Sequence, residues 1–383
     1  MSANETVENG THCPPKIHFT DSERQFILVT DVGLSSVIFT MGLVLNALSI
    51  LVLQRDVRRS SMSVLLMALS VFDLIFILIS APYYVVYMGL GAVVKLSDGV
   101  TLQTRLHATT GAQPLLPLLW YFGSVARTGR NWVILLVALD RYMVVQNPFY
   151  STQRSNPQRS RIYCVAVTCT ALVYNIPLLF EYKSELHQCL QLQILQPNPK
   201  RLGFVYMLLY KKIMYILFLT VGPMLVLTAF NILLIRSLLI ASRIRAAITR
   251  ETTRRTEETK MLVVIIAVFV TTEIPGAVWH ILLDTSFDDQ TWFNSYLYSI
   301  GSLLTLFNSA INFFIYCVWS RNFRRNMMYA IRRRKKPPAR VIRFDSSDSD
   351  RTKHLMLQRA AAAAVAIPHH PHQHLCSSCR SNS

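Results

Sequence analysis

The chain is 383 residues long, 52% apolar and only 16% charged, with a positive mean hydropathy, which excludes an ordinary soluble domain of this length. Its formal net charge of +18 would suit a nucleic-acid binder. The basic residues, however, collect in short segments between apolar runs, where anionic lipid or an acidic partner accounts for them without nucleic acid.

A membrane span needs about 20 mainly apolar residues. Seven such stretches are present, at 26–53, 62–90, 114–145, 162–181, 204–241, 261–283 and 292–319. They predict a seven-span membrane domain over 26–319, preceded by a polar segment 1–25 and followed by a short helix at 320–334 and a tail at 335–383. No stretch before Phe26 has the apolar core and small-residue cleavage site of a signal peptide, so the first span is expected to do the targeting itself. Two glycosylation sequons, at Asn4 and Asn9, favour an outside N-terminus. The positive-inside rule agrees. The segments then placed inside carry Arg55, Arg58 and Arg59, then Arg154, Arg159 and Arg161, then Arg243 to Lys260, and finally Arg321, Arg324, Arg325 and the basic run 332–336.

Span one holds Asn46 and span two Asp73, and a carboxylate in mid-span is functional by default because an idle one is expensive. Pro82 predicts a kink, with Tyr83 and Tyr84 on its outer side. Span three is the most unusual, with Arg127 and Arg130 in its middle and Asp140-Arg141-Tyr142 at its inner end. A charge at bilayer depth costs at least about 2.5 to 3.5 kcal/mol on insertion scales, so each arginine needs a partner inside the bundle. Three residues apart, the two share one helix face.

Span four carries Pro177, and the loop after it carries Glu181, Glu185 and Cys189. Span five has Pro223, span six Thr272-Glu273-Ile274-Pro275, and span seven ends in Asn308-Ser309-Ala310-Ile311-Asn312 and Tyr316. Beyond it, Phe323, Met327 and Ile331 fall on one face of a basic amphipathic helix suited to the inner membrane surface. The tail reads as disordered. Its serines Ser346, Ser347 and Ser349 lie among acids and are either phosphorylation sites that would present a negative cluster to a basic partner face or part of an unmodified solubilising tail. The tail's His369 to His374 with Cys376 and Cys379 are read as compositional, not as a metal site.

An outside N-terminus, Asp73 in span two, Asp-Arg-Tyr ending span three, prolines in spans five and six and Asn-x-x-x-Tyr ending span seven together resemble rhodopsin-like (class A) G-protein-coupled receptors. The resemblance covers roughly residues 42–331. It implies an all-α membrane protein, a seven-helix bundle with an amphipathic eighth helix. It also implies that Arg141 meets the G-protein while Asp140 restrains it, with Tyr142, Asn312, Tyr316, Phe269 and the Pro275 hinge completing the switch. Asn46, Asp73, Asn308, Ser309 and Asn312 match the polar core that often holds sodium. The bundle is then bistable, biased by an outside ligand and an inside partner. No internal repeat or broken helix pair favours a transporter, and no catalytic pattern within the spans favours an enzyme or a cofactor.

Several positions depart from that family. The usual helix-seven proline is Phe313, the usual acid of helix six is Arg255, the helix-five tyrosine is Asn231, and the aromatic two residues before Pro275 is Glu273. Leu116 replaces the helix-three cysteine, so Cys189 is expected either to bond Cys13, the only other cysteine in an outer segment, or to stay free. Leu306 excludes a retinal lysine and Gly123 excludes an amine-binding aspartate. We expect Arg130 to pair with Asp73 and Arg127 with Glu273; the alternative is that the arginines snorkel or bond backbone carbonyls.

Glu273 with Thr272, the end of helix seven and the polar entry to helix six are similar to the invertebrate FMRFamide and myosuppressin group of neuropeptide receptors. That likeness implies an extracellular peptide ending in Arg-Phe-amide. Glu181, Glu185, Asp284 and Glu273 are the candidates for its guanidinium, and Tyr83, Tyr84, Trp279, His280 and Tyr298 for its ring.

Overall fold

The computed structural model describes residues 20–56, 60–85, 115–146, 156–187, 192–197, 203, 206–244, 251–282 and 291–332. The chain separates into Met1–Arg334 and Lys335–Ser383, and every described residue belongs to the first unit. The sequons at Asn4 and Asn9, Cys13, Cys189, Asp284 and the serines and histidines of the tail lie outside the described residues. So do the side chains of Glu185, His280 and Arg255.

The spans are long helices, and polar caps start spans one, two and four and the terminal helix. Thr20 and Glu23 form a capping box at the head of span one. Ser60 caps Ser61–Pro82, Asn156 followed by Pro157 caps Pro157–Asn175, and Ser320 caps the terminal helix Arg321–Ile331. Span three is Leu115–Gln146, span six Glu251–Leu282 and span seven Thr291–Trp319. Six of the helices are long and apolar enough to cross a membrane by themselves. Span three, not among those six, carries Arg127, Arg130, Asp140 and Arg141 and touches spans two, four, five and six.

Three local features go beyond the predicted helices. Span one passes through a π-helical stretch, Leu28–Leu34, before continuing as Ser35–Leu53. Span five begins as a π-helix, Tyr206–Thr220, and continues as Val221–Ile244. After a 3-10 turn at Ile176–Phe180, the segment that follows span four forms an antiparallel hairpin, β1 (Tyr182–His187) with β2 (Leu192–Pro197), in the register Tyr182 opposite Pro197. That hairpin gives backbone groups outside the helices their partners.

Apolar and polar residues are sorted as lipid requires. Val44, Leu51, Val165, Val173 and Leu225 face outward, while Asn46, Asp73, Arg130, Asn131 and Asn312 are buried. Three buried amides each tie two helices together. Asn46 donates to the Ser309 carbonyl at 2.8 Å, Asn312 to Asp73 at 2.8 Å, and Asn175 to Thr128 at 3.1 Å. Asn131 has the most specific task. Pro223 has no N–H for the carbonyl four residues before it, and that Leu219 carbonyl accepts from Asn131 Nδ2 at 2.9 Å instead. Close helix contact is bought with glycine. A Cβ at Gly301 would stand 3.1 Å from the Gly276 backbone, and one at Gly129 within 2.3 Å of the Phe72 ring.

Candidate functional site

Between the halves of spans two to seven that lie away from Asp140-Arg141-Tyr142 is a cavity of about 500 Å³, within the range of small-molecule and peptide-end pockets. Tyr83 and Tyr84 line it from span two, Trp120, Gly123 and Arg127 from span three, and Trp279 and Tyr298 from spans six and seven. Gly123 leaves room, since a Cβ there would meet only Ile79 and Ser80 at ordinary contact distance. The rings brace one another, with Trp279 and Tyr298 centroids 4.9 Å apart and Tyr83 and Trp120 5.6 Å apart.

The remaining wall was not foreseen. Tyr174, Tyr210 and Tyr215 also line the cavity, and Tyr206 stacks on Tyr210 at 5.1 Å. Positions 206, 210 and 215 are four and five apart, the spacing that a π-helix turns onto one face. That tyrosine spacing was the available signal. At α-helical pitch it reads as interfacial anchoring.

Below the cavity lies a charged triad. Arg127 and Glu273 meet at 3.0 Å, as expected, and Arg127 also donates to the Tyr215 hydroxyl at 3.0 Å. Arg130 pairs with the other oxygen of the same Glu273 at 2.6 Å. The expected pair of Arg130 with Asp73 is therefore corrected. Arg130 donates further to Ser309 Oγ at 2.5 Å and to the Thr305 carbonyl at 3.3 Å, and stands 5.2 Å over the Phe76 ring. Asp73 takes Asn312 instead. Two guanidiniums against one carboxylate leave one net positive charge under the cavity. Glu273 itself is buried beneath Arg127 and does not line the cavity, which removes it from the groups open to a ligand's cation. Glu181 is buried beyond span four and is also not part of the lining.

At the Asp-Arg-Tyr end of span three, Arg141 is held by Asp140, with Nη2 2.7 Å from Oδ2, and Asp140 accepts a further bond from Ser61 of span two at 3.0 Å. Ser61 also bonds Ser160 of span four. Tyr142 packs on Phe230 of span five, and Tyr316 is buried against Phe323 of the terminal helix. Phe269 is buried in the core one turn before Glu273, and Pro275 lies inside the continuous span six. Asn308 is buried, and its Nδ2 has no partner among the described residues. Asn231 donates to the Val263 carbonyl of span six at 3.4 Å. Two buried acids that the sequence reading passed over also have structural partners. Asp31 accepts from Ser299 at 2.9 Å, and Asp56 accepts from Asn326 of the terminal helix at 2.5 Å.

A family model described as serpentine type 7TM GPCR chemoreceptor Srw matches residues 33–334. The chain belongs to this family of G-protein-coupled receptors. The receptor is similar to a Drosophila melanogaster protein named FMRFamide receptor, 24% identical over 83% of this chain and 57% of that protein. It is also similar to the FMRFamide peptide receptor frpr-18 of Caenorhabditis elegans, 26% identical over 77% of this chain and 68% of the relative. A third relative, the probable G-protein coupled receptor frpr-1 of the same worm, is 24% identical over 80% of each chain. The receptor thus spans little more than half the length of the Drosophila protein. As a receptor it is a multi-pass membrane protein and not an enzyme.

Proposed function

We propose that the receptor lies in the plasma membrane with its N-terminus outside, is activated by an extracellular neuropeptide ending in Arg-Phe-amide, and signals to a heterotrimeric G-protein. What carries this reading is the aromatic cavity seated directly on the Arg127–Glu273–Arg130 triad, in a chain similar to proteins named as FMRFamide receptors. Rings in the wall suit a terminal phenylalanine, and Arg127 joins the cavity to Glu273, hence to span six and its Pro275 hinge. A ligand that draws on Arg127 changes how Glu273 is shared with Arg130. Span six is thereby loosened from span three, and Arg141 is released from Asp140 towards the G-protein. The basic terminal helix rests on the inner leaflet, and a phosphorylated tail recruits arrestin.

A panel of amidated peptides ending in Arg-Phe, applied to cells bearing the full chain, tests the reading through guanine-nucleotide exchange on added G-protein. Activation by such peptides, and not by unrelated amidated peptides, is the expected result, and silence across the panel overturns it. The net positive floor favours one second reading, a small organic acid of comparable size, and a parallel panel of acids separates the two.

A further inference from the structure

Building on the peptide-receptor reading, we infer that the peptide enters C-terminus first and that Arg127 is the specificity residue that receives its terminal carboxamide oxygen. A guanidinium has five N–H donors. Among the described residues Arg127 spends one N–H of Nη1 on Tyr215 and one of Nη2 on Glu273, which leaves a second N–H on each of these nitrogens, while its Nε is buried. Arg130, one turn deeper, is by contrast partnered on all three nitrogens by Asn131, Ser309, Thr305 and Glu273. The arginine with donors to spare is thus the one that lines the cavity.

Charge sets the direction of entry. The triad carries one net positive charge, so a peptide's ammonium terminus or its arginine side chain is repelled from the floor. A carbonyl oxygen is attracted, and charge-assisted hydrogen bonds are the strong ones. With the carboxamide at Arg127, the last ring lies among Tyr84, Trp279 and Tyr298, and the preceding arginine is kept up towards the cavity mouth, away from the triad.

The test is a cycle between ligand and receptor. The agonist peptide is compared with an analogue ending in arginine phenethylamide, which keeps the ring and lacks the carboxamide. Competition binding is measured on the wild-type receptor and on Arg127→Gln. The wild type is expected to lose about ten- to hundredfold in affinity on removal of the carboxamide, as for one hydrogen bond to a charged group, and Arg127→Gln less than about a third of that factor. Arg127→Lys, which keeps the charge but not the fork, should fall between them. Equal losses in wild type and variant overturn the assignment. If Arg127→Gln does not reach the surface, Arg127→Met, which likewise leaves Glu273 its pair with Arg130, takes its place, and the same comparison decides. A wild type that binds no amidated peptide brings down the peptide reading, whereas a responsive wild type with an additive cycle overturns only the role of Arg127.

Discussion

Glu273→Gln is the most informative single change, because one carboxylate holds two buried guanidiniums. The substitution is nearly isosteric and raises the net charge of the cluster from one to two. Breaking a buried ion pair from one side costs about 3 to 5 kcal/mol. Part of that is retained, since a glutamine oxygen still accepts from one arginine and Arg130 keeps Ser309 and Thr305. Only the share that the active arrangement does not suffer shifts the balance between the two states. If that share is about 1 to 2 kcal/mol, the active fraction rises about five- to thirtyfold. The readout is agonist-independent nucleotide exchange in membranes, normalised to receptor at the cell surface. Adding Arg130→Gln returns the cluster to one net charge and should lower the basal signal from that of Glu273→Gln alone. Unchanged or reduced basal exchange in Glu273→Gln at normal surface density would refute the idea that the triad holds span six in its resting place.

Sodium should leave agonist affinity unchanged when exchanged for choline at equal ionic strength, because Arg130 Nη1 sits 2.5 Å from Ser309 Oγ, a hydroxyl of the polar core; a clear sodium dependence would contradict this. Asn131→Leu strands the Leu219 carbonyl and should cost about 1 to 3 kcal/mol, read as a lower melting temperature of the detergent-solubilised receptor. In a Pro223→Ala background, where the helix regains a donor, the loss should shrink, and an equal loss in both backgrounds would show that the bond is incidental. Gly129→Ala drives a methyl into Phe72 and should reduce surface expression, at about 1 to 3 kcal/mol for overpacking. Phe72→Leu should restore it, and failure to do so would place the strain elsewhere.

The helices were legible because lipid imposes a one-dimensional rule, long apolar runs closed by polar caps, and because Ser60, Asn156 and Ser320 stand where caps belong. The hairpin Tyr182–Pro197 was not, since neither six-residue segment alternates apolar and polar residues along its whole length. The cavity was half legible. Tyr83, Tyr84, Gly123, Arg127, Trp279 and Tyr298 were found from family positions, but the span-five wall depends on the π-helical pitch of Tyr206–Thr220, which no α-helical register reveals. Asn131 was overlooked for a related reason. Its partner exists only because Pro223 frees a carbonyl on another helix, and a proline's consequence appears across the bundle and not in its own sequence.

The partner of Arg130 shows most clearly where sequence reasoning stops. Periodicity puts Arg127 and Arg130 on one face, and two basic groups with two candidate acids invite two separate pairs. The bundle instead gives each arginine one oxygen of Glu273 and sets the Asn312 amide on one oxygen of Asp73. Both anions are buried, one held by ion pairs and the other by a neutral donor. It also changes what a ligand can do. With separate pairs, an event at Arg127 would have to travel through packing to be felt at Arg130. With a shared carboxylate, any oxygen that weakens the hold of Arg127 on Glu273 strengthens that of Arg130 at once, so the ligand floor and the middle of the bundle are coupled through a single side chain on the helix that carries the Pro275 hinge.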